Sequence, residues 1–272
     1  MHAGITRISS YLQRTRFAKC VLVRGWLFAM VDIHCHILPG IDDGPETWEK
    51  TAEMCRIAAE DGITHIVATP HCNDEFTYDR DRYTEMLGEL YDTAGGRLGF
   101  SLGCDFHFSY ENIQDALAHP ARYAIGESQY LLVEFSDYSI PPTVTRDLLS
   151  LSGSGMVPII THPERNPVLL QKPEIVLEMA AQGCLVQVTA NAITGFWGSR
   201  ARKMAEWLLH RDAVHVVASD AHDPRHRKPV LSEAREAIAD LASGEIADAL
   251  VTHNPAAIVD GKSLPYQPLC RA

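Results

Sequence analysis

The chain alternates between short apolar runs and longer amphipathic runs from residue 31 onward, and this alternation limits its fold more than any other feature. Continuous apolar runs such as residues 66–68 are typical of strands that are covered on both faces. Seven successive strand–helix units predict an α/β fold, either a barrel or near-barrel of parallel strands or, as the alternative, a doubly wound open sheet. The predicted strands lie at residues 31–35, 64–69, 97–104, 130–135, 157–161, 184–189 and 214–219.

The predicted helices fall between most of these strands. The clearest covers residues 47–61, where Trp48, Ala52 and Cys55 recur at helical spacing and Gly62 follows as a stop. Further helices are predicted at residues 83–94, 143–151, 173–182, 199–211 and 232–242. Since no repeat, linker or low-complexity tract divides the chain, we expect one domain at residues 31–261 and a C-terminal tail at residues 262–272.

Composition limits the partners and the compartment. The formal net charge of −11 argues against a protein that binds nucleic acid or an anionic membrane, because both require a basic surface. An acidic chain that handles phosphate needs a local positive charge, which divalent cations can supply. The seven scattered cysteines include no Cys-x-x-Cys pair. They are typical of free thiols in a reducing compartment and predict a cytoplasmic protein.

The N-terminal segment bears on membrane insertion, on a signal peptide and on where the natural chain starts. Its apolar stretch at residues 20–31 is broken by Arg24 and is shorter than the about 18 apolar residues that a membrane span needs, so we expect no membrane insertion. No small-x-small cleavage pattern follows it, which disfavours a signal peptide. We expect Met30 to be the natural start and residues 1–29 to form an N-terminal extension.

Histidine or acidic residues occur at the ends of six of the seven predicted strands. Because the carboxyl ends of parallel strands converge on one face of a barrel, these side chains should meet there. His34 and His36 have the spacing that turns two strand side chains to the same side, so that they can hold one ion together. Imidazoles and carboxylates fit manganese, iron or zinc. The candidate metal ligands are His34, His36, His71, Asp105, Glu134, His162, Asp220 and His222.

Four further residues are candidates for catalytic roles. Asp42 and Asp43 lie in an acidic turn after the first strand and could supply a third ligand or a proton-transfer group, or be a solvated turn. Arg165 and Arg227 follow two of the candidate histidines. They are either surface charges or a pair that captures phosphate oxygens through bidentate hydrogen bonds.

Four motifs together resemble the PHP (polymerase and histidinol phosphatase) superfamily, and within it the CpsB/YwqE-type manganese-dependent tyrosine phosphatases. They are the string at residues 32–45, Ala-Thr-Pro-His ending at His71, His-Pro-Glu-Arg ending at Arg165, and Ser-Asp-Ala-His ending at His222. The resemblance implies a distorted (β/α)7 barrel of parallel strands with two or three manganese ions at their carboxyl ends. It places ligands at the eight candidates and at Asp42 or Asp43, and phosphate at Arg165 and Arg227.

The resemblance also implies a function. It predicts a protein-tyrosine phosphatase that acts through a metal-bound hydroxide on a phosphotyrosine protein, such as a tyrosine kinase of capsule or exopolysaccharide synthesis. One departure concerns Asp105, since the family pattern has glutamate there. With the shorter side chain, either the backbone approaches more closely or His107 contributes to the site.

Other functions remain open from the sequence. A small-molecule phosphatase acting on a substrate such as histidinol phosphate would use the same ligands. An amidohydrolase is disfavoured because Glu134 stands where many of these enzymes have a modified lysine, and a metal-dependent deoxyribonuclease is disfavoured by the charge of −11. A barrel that binds metal without catalysis is a further alternative. No cysteine has an arginine six residues on, which disfavours a cysteine phosphatase.

Overall fold

The structure is a computed structural model that describes residues 29–270. Within this range nine strands, all paired in parallel, form the centre of the molecule. Their order is β1–β2–β4 in one sheet and β3–β5–β6–β7–β8–β9 in the other. The strands are β1 (Met30–Cys35), β2 (Ile63–Ala68), β3 (His71–Cys72), β4 (Gly99–Leu102), β5 (Asp105–His107), β6 (Tyr130–Glu134), β7 (Val157–Thr161), β8 (Leu185–Thr189) and β9 (Val216–Ala218).

The nine strands follow the predicted seven-strand succession. β2 and β3 correspond to the predicted strand at residues 64–69 and the residues just after it. β4 and β5 correspond to the predicted strand at residues 97–104 and the residues just after it. Across these breaks the Gly103 amide donates to the Ala68 carbonyl over 2.8 Å, and the Asp105 amide donates to the Pro70 carbonyl over 3.0 Å. The breaks therefore bend a continuous ladder and do not end it.

A seam joins the last strand to the first, and we use this name for the contact between residues 34–36 and 220–221. Cys35 and Ala221 form a parallel bridge. The His36 amide donates to the Ala221 carbonyl, and the Asp220 amide donates to the His34 carbonyl, both over 2.8 Å. The seam brings the two ends of the strand series together as in a barrel, and the parallel α/β prediction is confirmed.

Helices cover the outside of the strands. α1 begins after Thr47, whose side chain accepts from the Lys50 amide, and ends at Gly62, which adopts the left-handed conformation with φ of 95°. The described helices are α1 (Trp48–Asp61), α2 (Arg80–Thr93), α3 (Tyr110–Ala118), α4 (Val144–Gly153), α5 (Glu174–Ala181), α6 (Ala190–Ile193), α7 (Gly198–His210), α8 (Ser232–Leu241), α9 (Gly244–Asp248) and α10 (Asn254–Val259). A 3₁₀ turn (Pro120–Arg122) and a π-helical turn (Ala249–His253) complete them.

All six predicted helices are present, with ends that differ by a few residues. The prediction missed α3, α6, α9 and α10. α3 follows Ser109, whose hydroxyl accepts from the Asn112 amide as an N-cap. The four missed helices are shorter than ten residues and so carry few apolar repeats. Their helical pattern is therefore weak in the sequence.

Two apolar layers hold the strands. One fills the space enclosed by the strands and is formed by Val31, Ile33, Val67, Leu132, Ile159 and Val216 among others. The second lies between the strands and the helices and includes Met54, Leu90, Leu148 and Leu208. Side chains at the carboxyl ends of the strands therefore stand on a dry, closely packed base that limits their movement.

The ends of the chain test the predicted boundaries only in part. The expected extension at residues 1–29 lies outside the described residues except for Ala29. The first part of the predicted tail packs on the domain: Leu264 is buried, and the Tyr266 amide donates to Asn254 Oδ1 over 3.0 Å. Among the helices of residues 29–270, none has both the length and the apolar character that crossing a membrane requires.

Candidate metal centre

The structure brings all eight predicted metal ligands to the carboxyl ends of the strands. Each comes from the end of a strand or from the first residues after it, so six separate segments converge in the folded chain. Six of the eight are buried, while His71 and Glu134 are partly exposed at the mouth of the site. The eight candidates are His34, His36, His71, Asp105, Glu134, His162, Asp220 and His222.

Two imidazoles and two carboxylates form the centre of the site. His34 Nε2 and His36 Nε2 lie 3.3 Å apart. Asp105 Oδ2 and Asp220 Oδ1 each lie 3.5 Å from His34 Nε2, and Asp220 Oδ1 lies 3.6 Å from His36 Nε2. Two ring nitrogens this close together, with acidic oxygens around them, are typical of atoms that share a cation.

Hydrogen bonds on the far side of each ring orient these two histidines. His34 Nδ1 lies 2.9 Å from Gln187 Oε1, and His36 Nδ1 lies 2.8 Å from Asp42 Oδ2. Because both partners accept hydrogen bonds here, the neutral form of each ring carries its proton on Nδ1. The lone pair of each Nε2 then faces the centre, which is the arrangement that metal-binding histidines adopt.

A second group lies at the rim around Asp43. Asp43 Oδ1 is 3.4 Å from His71 Nε2 and 3.2 Å from His222 Nε2. The rings of His36 and His222 lie with their centroids 3.8 Å apart. The Asp43 side chain is 51% exposed, so this group is open to solvent.

A third group surrounds Glu134. His71 Nδ1 lies 3.2 Å from Asp105 Oδ2 and 3.6 Å from Glu134 Oε2. His162 Nε2 lies 3.7 Å from Glu134 Oε1, and His107 Nδ1 lies 3.8 Å from Glu134 Oε2. His107, raised as a possible aid to the short Asp105 side chain, therefore lies beside Glu134.

Six of the eight candidate ligands, together with Asp43, fall into three overlapping groups in the part of the chain that the structure describes. His162 and Asp220 belong to none of these groups but lie beside Glu134 and His34. In each group the atoms lie within 4.8 Å of one another, and His36, His71 and Asp105 are each shared by two groups. The sharing of ligands is typical of a centre that holds neighbouring ions. The groups are His36 with Asp43, His71 and His222; His34 with His36 and Asp105; and His71 with Asp105 and Glu134.

Incomplete hydrogen bonding shows that the centre fits a cation. Within residues 29–270, both carboxylate oxygens of Asp105 and Nδ1 of His71 are buried without a hydrogen-bond partner. The 3.2 Å contact between His71 Nδ1 and Asp105 Oδ2 does not have hydrogen-bond geometry. Buried polar atoms are rarely left in this state unless a ligand binds them. Their mixture of nitrogen and carboxylate oxygen suits a divalent transition metal.

The electrostatics also favour positive charge here. Burial opposes a charged imidazole at His34, but the Asp105 and Asp220 carboxylates outweigh it and raise the pKa to about 9. At His36, burial together with the neighbouring His222 and His71 lowers the pKa to about 3. The carboxylates therefore favour positive charge in the centre. His34 binds a proton more readily than His36 does.

Asp42 has a positioning role in this geometry. One of its oxygens accepts from His36 Nδ1 and from the His71 amide over 3.2 Å, and the other accepts from the Gly44 amide over 3.0 Å. A Cβ atom at Gly44 would lie 2.6 Å from the His36 carbonyl oxygen, so only glycine permits this approach. Since both Asp42 oxygens are occupied, its contacts favour orientation of His36 over the predicted roles as third ligand or proton donor.

Arg165 and Arg227 meet at a single oxygen of Asp220. Arg165 Nη1 and Arg227 Nη2 both donate to Asp220 Oδ2, the latter over 2.7 Å. Their side chains are 24% and 19% exposed, so the alternative of solvated surface charges does not fit. The Arg165 guanidinium also stacks on the Trp197 ring, with 4.2 Å between Cζ and the ring centroid. Two cations are thus fixed at the edge of the centre.

Two of the site residues have strained backbones. His162 has φ of 32° and Asp220 has φ of 52°, in the left-handed region that non-glycine residues seldom adopt. Such conformations persist where the surrounding structure enforces them. For Asp220 the enforcement comes from the seam and from Asp32, which accepts from the Ser219 amide over 3.0 Å. Burial raises the pKa of Asp32 to about 6.

Sequence reasoning missed Gln187, Asp32 and Trp197. A signal for Gln187 was present, because it is a polar residue within the apolar run of β8. Asp32 alternates with His34 and His36 along β1, which could have indicated a shared role. Trp197 lies in the loop after α6 and gave no signal. His65, His119, His210, His215 and His253, which we expected to lie outside the site, belong to none of the three groups.

Comparison with known proteins gives matches over most of the chain. The family model for capsular polysaccharide synthesis, CpsB/CapC, matches residues 30–260. The putative tyrosine-protein phosphatase CapC of Staphylococcus aureus is 33% identical over 208 residues, which cover 75% of this chain and 81% of that protein. The tyrosine-protein phosphatase YwqE of Bacillus subtilis is 28% identical over 246 residues, covering 88% and 95%.

A solved structure has the same fold. It comes from the crystal structures of YwqE from Bacillus subtilis and CpsB from Streptococcus pneumoniae, described as unique metal-dependent tyrosine phosphatases. The match has a TM-score of 0.79 at 27% identity and covers 88% of this chain and 99% of the other. The predicted resemblance is confirmed. With its family model matched from residue 30 to residue 260, this chain belongs to the CpsB/CapC family of capsular polysaccharide synthesis.

Proposed function

We propose that this protein is a metal-dependent phosphomonoester hydrolase and that its substrate is phosphotyrosine in a protein. The observation that carries the proposal is the position of Asp220. Its Oδ1 faces the ring nitrogens of His34 and His36, and its Oδ2 accepts from both Arg165 and Arg227. One carboxylate therefore joins a cation site to an anion site, which is what hydrolysis of a phosphate ester by metal ions requires.

The metal would be held by the eight ligands together with Asp43, as two or three ions. We propose Mn²⁺, with Fe and Zn as alternatives, because the donors are imidazole nitrogens and carboxylate oxygens. Ions of this kind lower the pKa of water toward about 7 and neutralise charge on a phosphoryl group. Asp105, which is buried and belongs to two of the groups, would hold cations in both of them.

The protein's own groups supply binding and proton transfer. Arg165 and Arg227 keep N–H groups beyond those bonded to Asp220, and these would hold two phosphate oxygens and offset the charge that grows in the transition state. Asp43 and His222 lie together at the open rim, 3.2 Å apart, and whichever of the two does not hold a cation is the candidate for protonating the leaving oxygen. A tyrosinate leaving group, with a pKa of about 10, needs little such assistance.

The family and the charge of the chain support the biological part of the proposal. CapC and YwqE are named tyrosine-protein phosphatases, and the family model concerns capsular polysaccharide synthesis. A tyrosine kinase of polysaccharide synthesis is therefore the partner we propose, in the cytoplasm. The six described cysteines are free thiols, as a reducing compartment favours. The charge of −11 disfavours nucleic acid as a substrate.

The test is an assay of the purified chain after chelation and reloading with Mn²⁺, Fe²⁺, Zn²⁺ or Mg²⁺. We expect hydrolysis of a phosphotyrosine peptide that disappears with the metal and returns with Mn²⁺. His34→Ala should remove both the bound metal and the activity. His119→Ala, which alters a histidine with a 58% exposed side chain remote from the centre, is the matched control and should keep both.

The same preparation separates the alternatives. Hydrolysis of histidinol phosphate at a higher kcat/KM than the peptide would indicate a small-molecule phosphatase. Cleavage of single-stranded DNA or of a panel of amides would indicate another barrel hydrolase. A metal-loaded protein that hydrolyses none of these substrates would overturn the proposal of an enzyme.

A further inference from the structure

The indole of Trp197 contacts both arginines of the anion site. The Arg165 Cζ atom lies 4.2 Å from the centroid of the ring, and the Arg227 Cζ atom lies 5.5 Å from it. Both distances are within the range in which an aromatic face attracts a guanidinium. Asp220 Oδ2 accepts from the same two side chains, so each guanidinium is held by this carboxylate oxygen and by the aromatic ring. Arg227 has one further and longer contact, 4.0 Å from Nη1 to Asp43 Oδ2.

We propose that Trp197 is a positioning residue that fixes Arg165 and Arg227 in the orientation that binds phosphate. This inference rests on the proposed function in so far as the two arginines bind the phosphate of the substrate. A carboxylate oxygen alone leaves a guanidinium free to pivot about its hydrogen bond. The flat face of the indole restricts that pivot, because a guanidinium keeps the contact only while its Cζ remains over the ring.

Two further observations support this role. Nε of Arg227 is buried and has no hydrogen-bond partner within residues 29–270, so the contacts with Asp220 and Trp197 leave a donor unsatisfied beside the proposed anion site. Trp197 itself is held in place, since its partly buried ring packs against the core and Phe196 meets it edge to face with 5.3 Å between ring centroids. The ring is therefore a fixed surface against which the arginines can be aligned.

The molecule contains a matched control for this contact. The Arg211 guanidinium lies over the ring of Trp207 on α7, with 4.1 Å between Arg211 Cζ and the ring centroid. Trp207 is also a partly buried ring that packs against the core. Neither Trp207 nor Arg211 contacts a residue of the three metal-binding groups in the contacts described. Trp207→Leu therefore removes the same kind of interaction at a site without phosphate chemistry.

The experiment compares Trp197→Leu, Trp197→Phe and Trp207→Leu as Mn²⁺-loaded proteins. Binding of inorganic phosphate is measured by calorimetry, and kcat and KM are measured with a phosphotyrosine peptide. We expect Trp197→Leu to weaken phosphate binding by ~10-fold and to raise KM by a similar factor, with the metal content unchanged. Trp197→Phe, which keeps an aromatic face, should restore most of the affinity, and Trp207→Leu should bind phosphate as the wild type does.

The outcomes separate this inference from the proposed function. If Trp197→Leu binds phosphate as tightly as the wild type while metal content is equal, the positioning role is wrong, whatever the activity. If Trp207→Leu weakens phosphate binding as much as Trp197→Leu, the effect is a general loss of packing and the positioning role is again wrong. If the wild type binds phosphate more tightly than Trp197→Leu does but hydrolyses no ester, the positioning role stands and only the proposed function fails.

Discussion

The two ends of the barrel both bury histidines, but only one end satisfies their hydrogen bonds. At the amino end, His215 precedes β9, and its Nδ1 accepts from the Val186 amide over 3.1 Å. Asn254 completes that region by donating to the His215 carbonyl over 2.8 Å and to the Tyr266 carbonyl over 2.9 Å. At the carboxyl end, His71 Nδ1 and both oxygens of Asp105 are buried without such partners.

This difference separates polar groups that stabilise the fold from those that serve a ligand. A buried polar group with complete hydrogen bonds contributes to stability, and its loss leaves its partners unsatisfied. A cluster of buried ligands with incomplete bonds is maintained for a species that binds there. We therefore expect substitutions at the carboxyl end to affect activity first and substitutions at the amino end to affect unfolding first.

The largest effect should follow from Asp105→Asn. Loss of the shared carboxylate charge should lower kcat/KM for a phosphotyrosine peptide by ~10³-fold or more, because the charge that stabilises bound cations disappears. We also expect Mn²⁺ to raise the Tm of the wild type, through preferential binding to the folded state, and this rise should be lost in the variant. Asp105→Glu keeps the charge and should retain part of both. Wild-type activity in Asp105→Asn would refute the central place given to this residue.

Asn254→Ala tests the amino end. The substitution removes the side-chain partner of three main-chain groups at His215 and Tyr266. We expect the free energy of unfolding to fall by about 3 kcal/mol, as measured by urea denaturation. The kcat/KM measured at 25 °C should remain that of the wild type. A loss of activity in protein that is still folded would contradict the division between the two ends.

Asp42→Asn sharpens the comparison within the carboxyl end. The amide keeps the size of the side chain but weakens its hold on His36 Nδ1, so metal affinity should fall by about 10–100-fold. Competition with a fluorescent chelator measures this affinity. Excess Mn²⁺ should restore most of the activity if Asp42 acts through His36. Activity that stays low under saturating Mn²⁺ would instead indicate direct proton transfer by Asp42.

The smallest effect concerns the pH dependence of stability. Burial lowers the pKa of His215 to about 4, below the unfolded value of 6.5. The unfolded chain therefore binds the proton more readily, and His215 reduces stability as the pH falls through the window from 6.5 to 4. Between pH 7 and pH 5 this amounts to about 2 kcal/mol.

His215→Asn provides the measurement. The difference in the free energy of unfolding between pH 7 and pH 5, determined in the metal-free protein, should be smaller in the variant by about that amount. All other titrating groups are common to both proteins and cancel in this difference. Equal pH dependence in the two proteins would show that His215 does not titrate in the expected way.

The strand ends were predictable from the sequence because two local patterns coincide there. Apolar runs locate the strands, and polar residues follow them. Because a parallel arrangement makes every carboxyl end converge, the eight candidate residues could be expected to meet before their contacts were known. The helices α6, α9 and α10 were not predictable, because short helices depend on tertiary packing more than on their own pattern.

The residues that orient the ligands were harder to find. Gln187, Asp42 and Trp197 act through another side chain. Gln187 lies in β8, but the positions of Asp42 and Trp197 depend on loops whose conformation the sequence does not specify. Asp42 lies six residues from His36 along a turn, and its role follows only from the bond between Oδ2 and Nδ1. For Trp197, the ring lies 32 positions from Arg165 and 30 from Arg227 in sequence, and only the folded chain brings the three together.

The seam has a consequence for the order of folding. It joins residues about 186 positions apart, so its loop is among the most expensive to close and its pairing is expected late. His34 and His36 lie on one side of it, and Asp220 and His222 lie on the other. The complete set of candidate ligands is therefore assembled only when the chain has finished folding. Metal uptake by a newly made chain would therefore report its maturity, and truncated or half-folded products would remain unable to retain the ion.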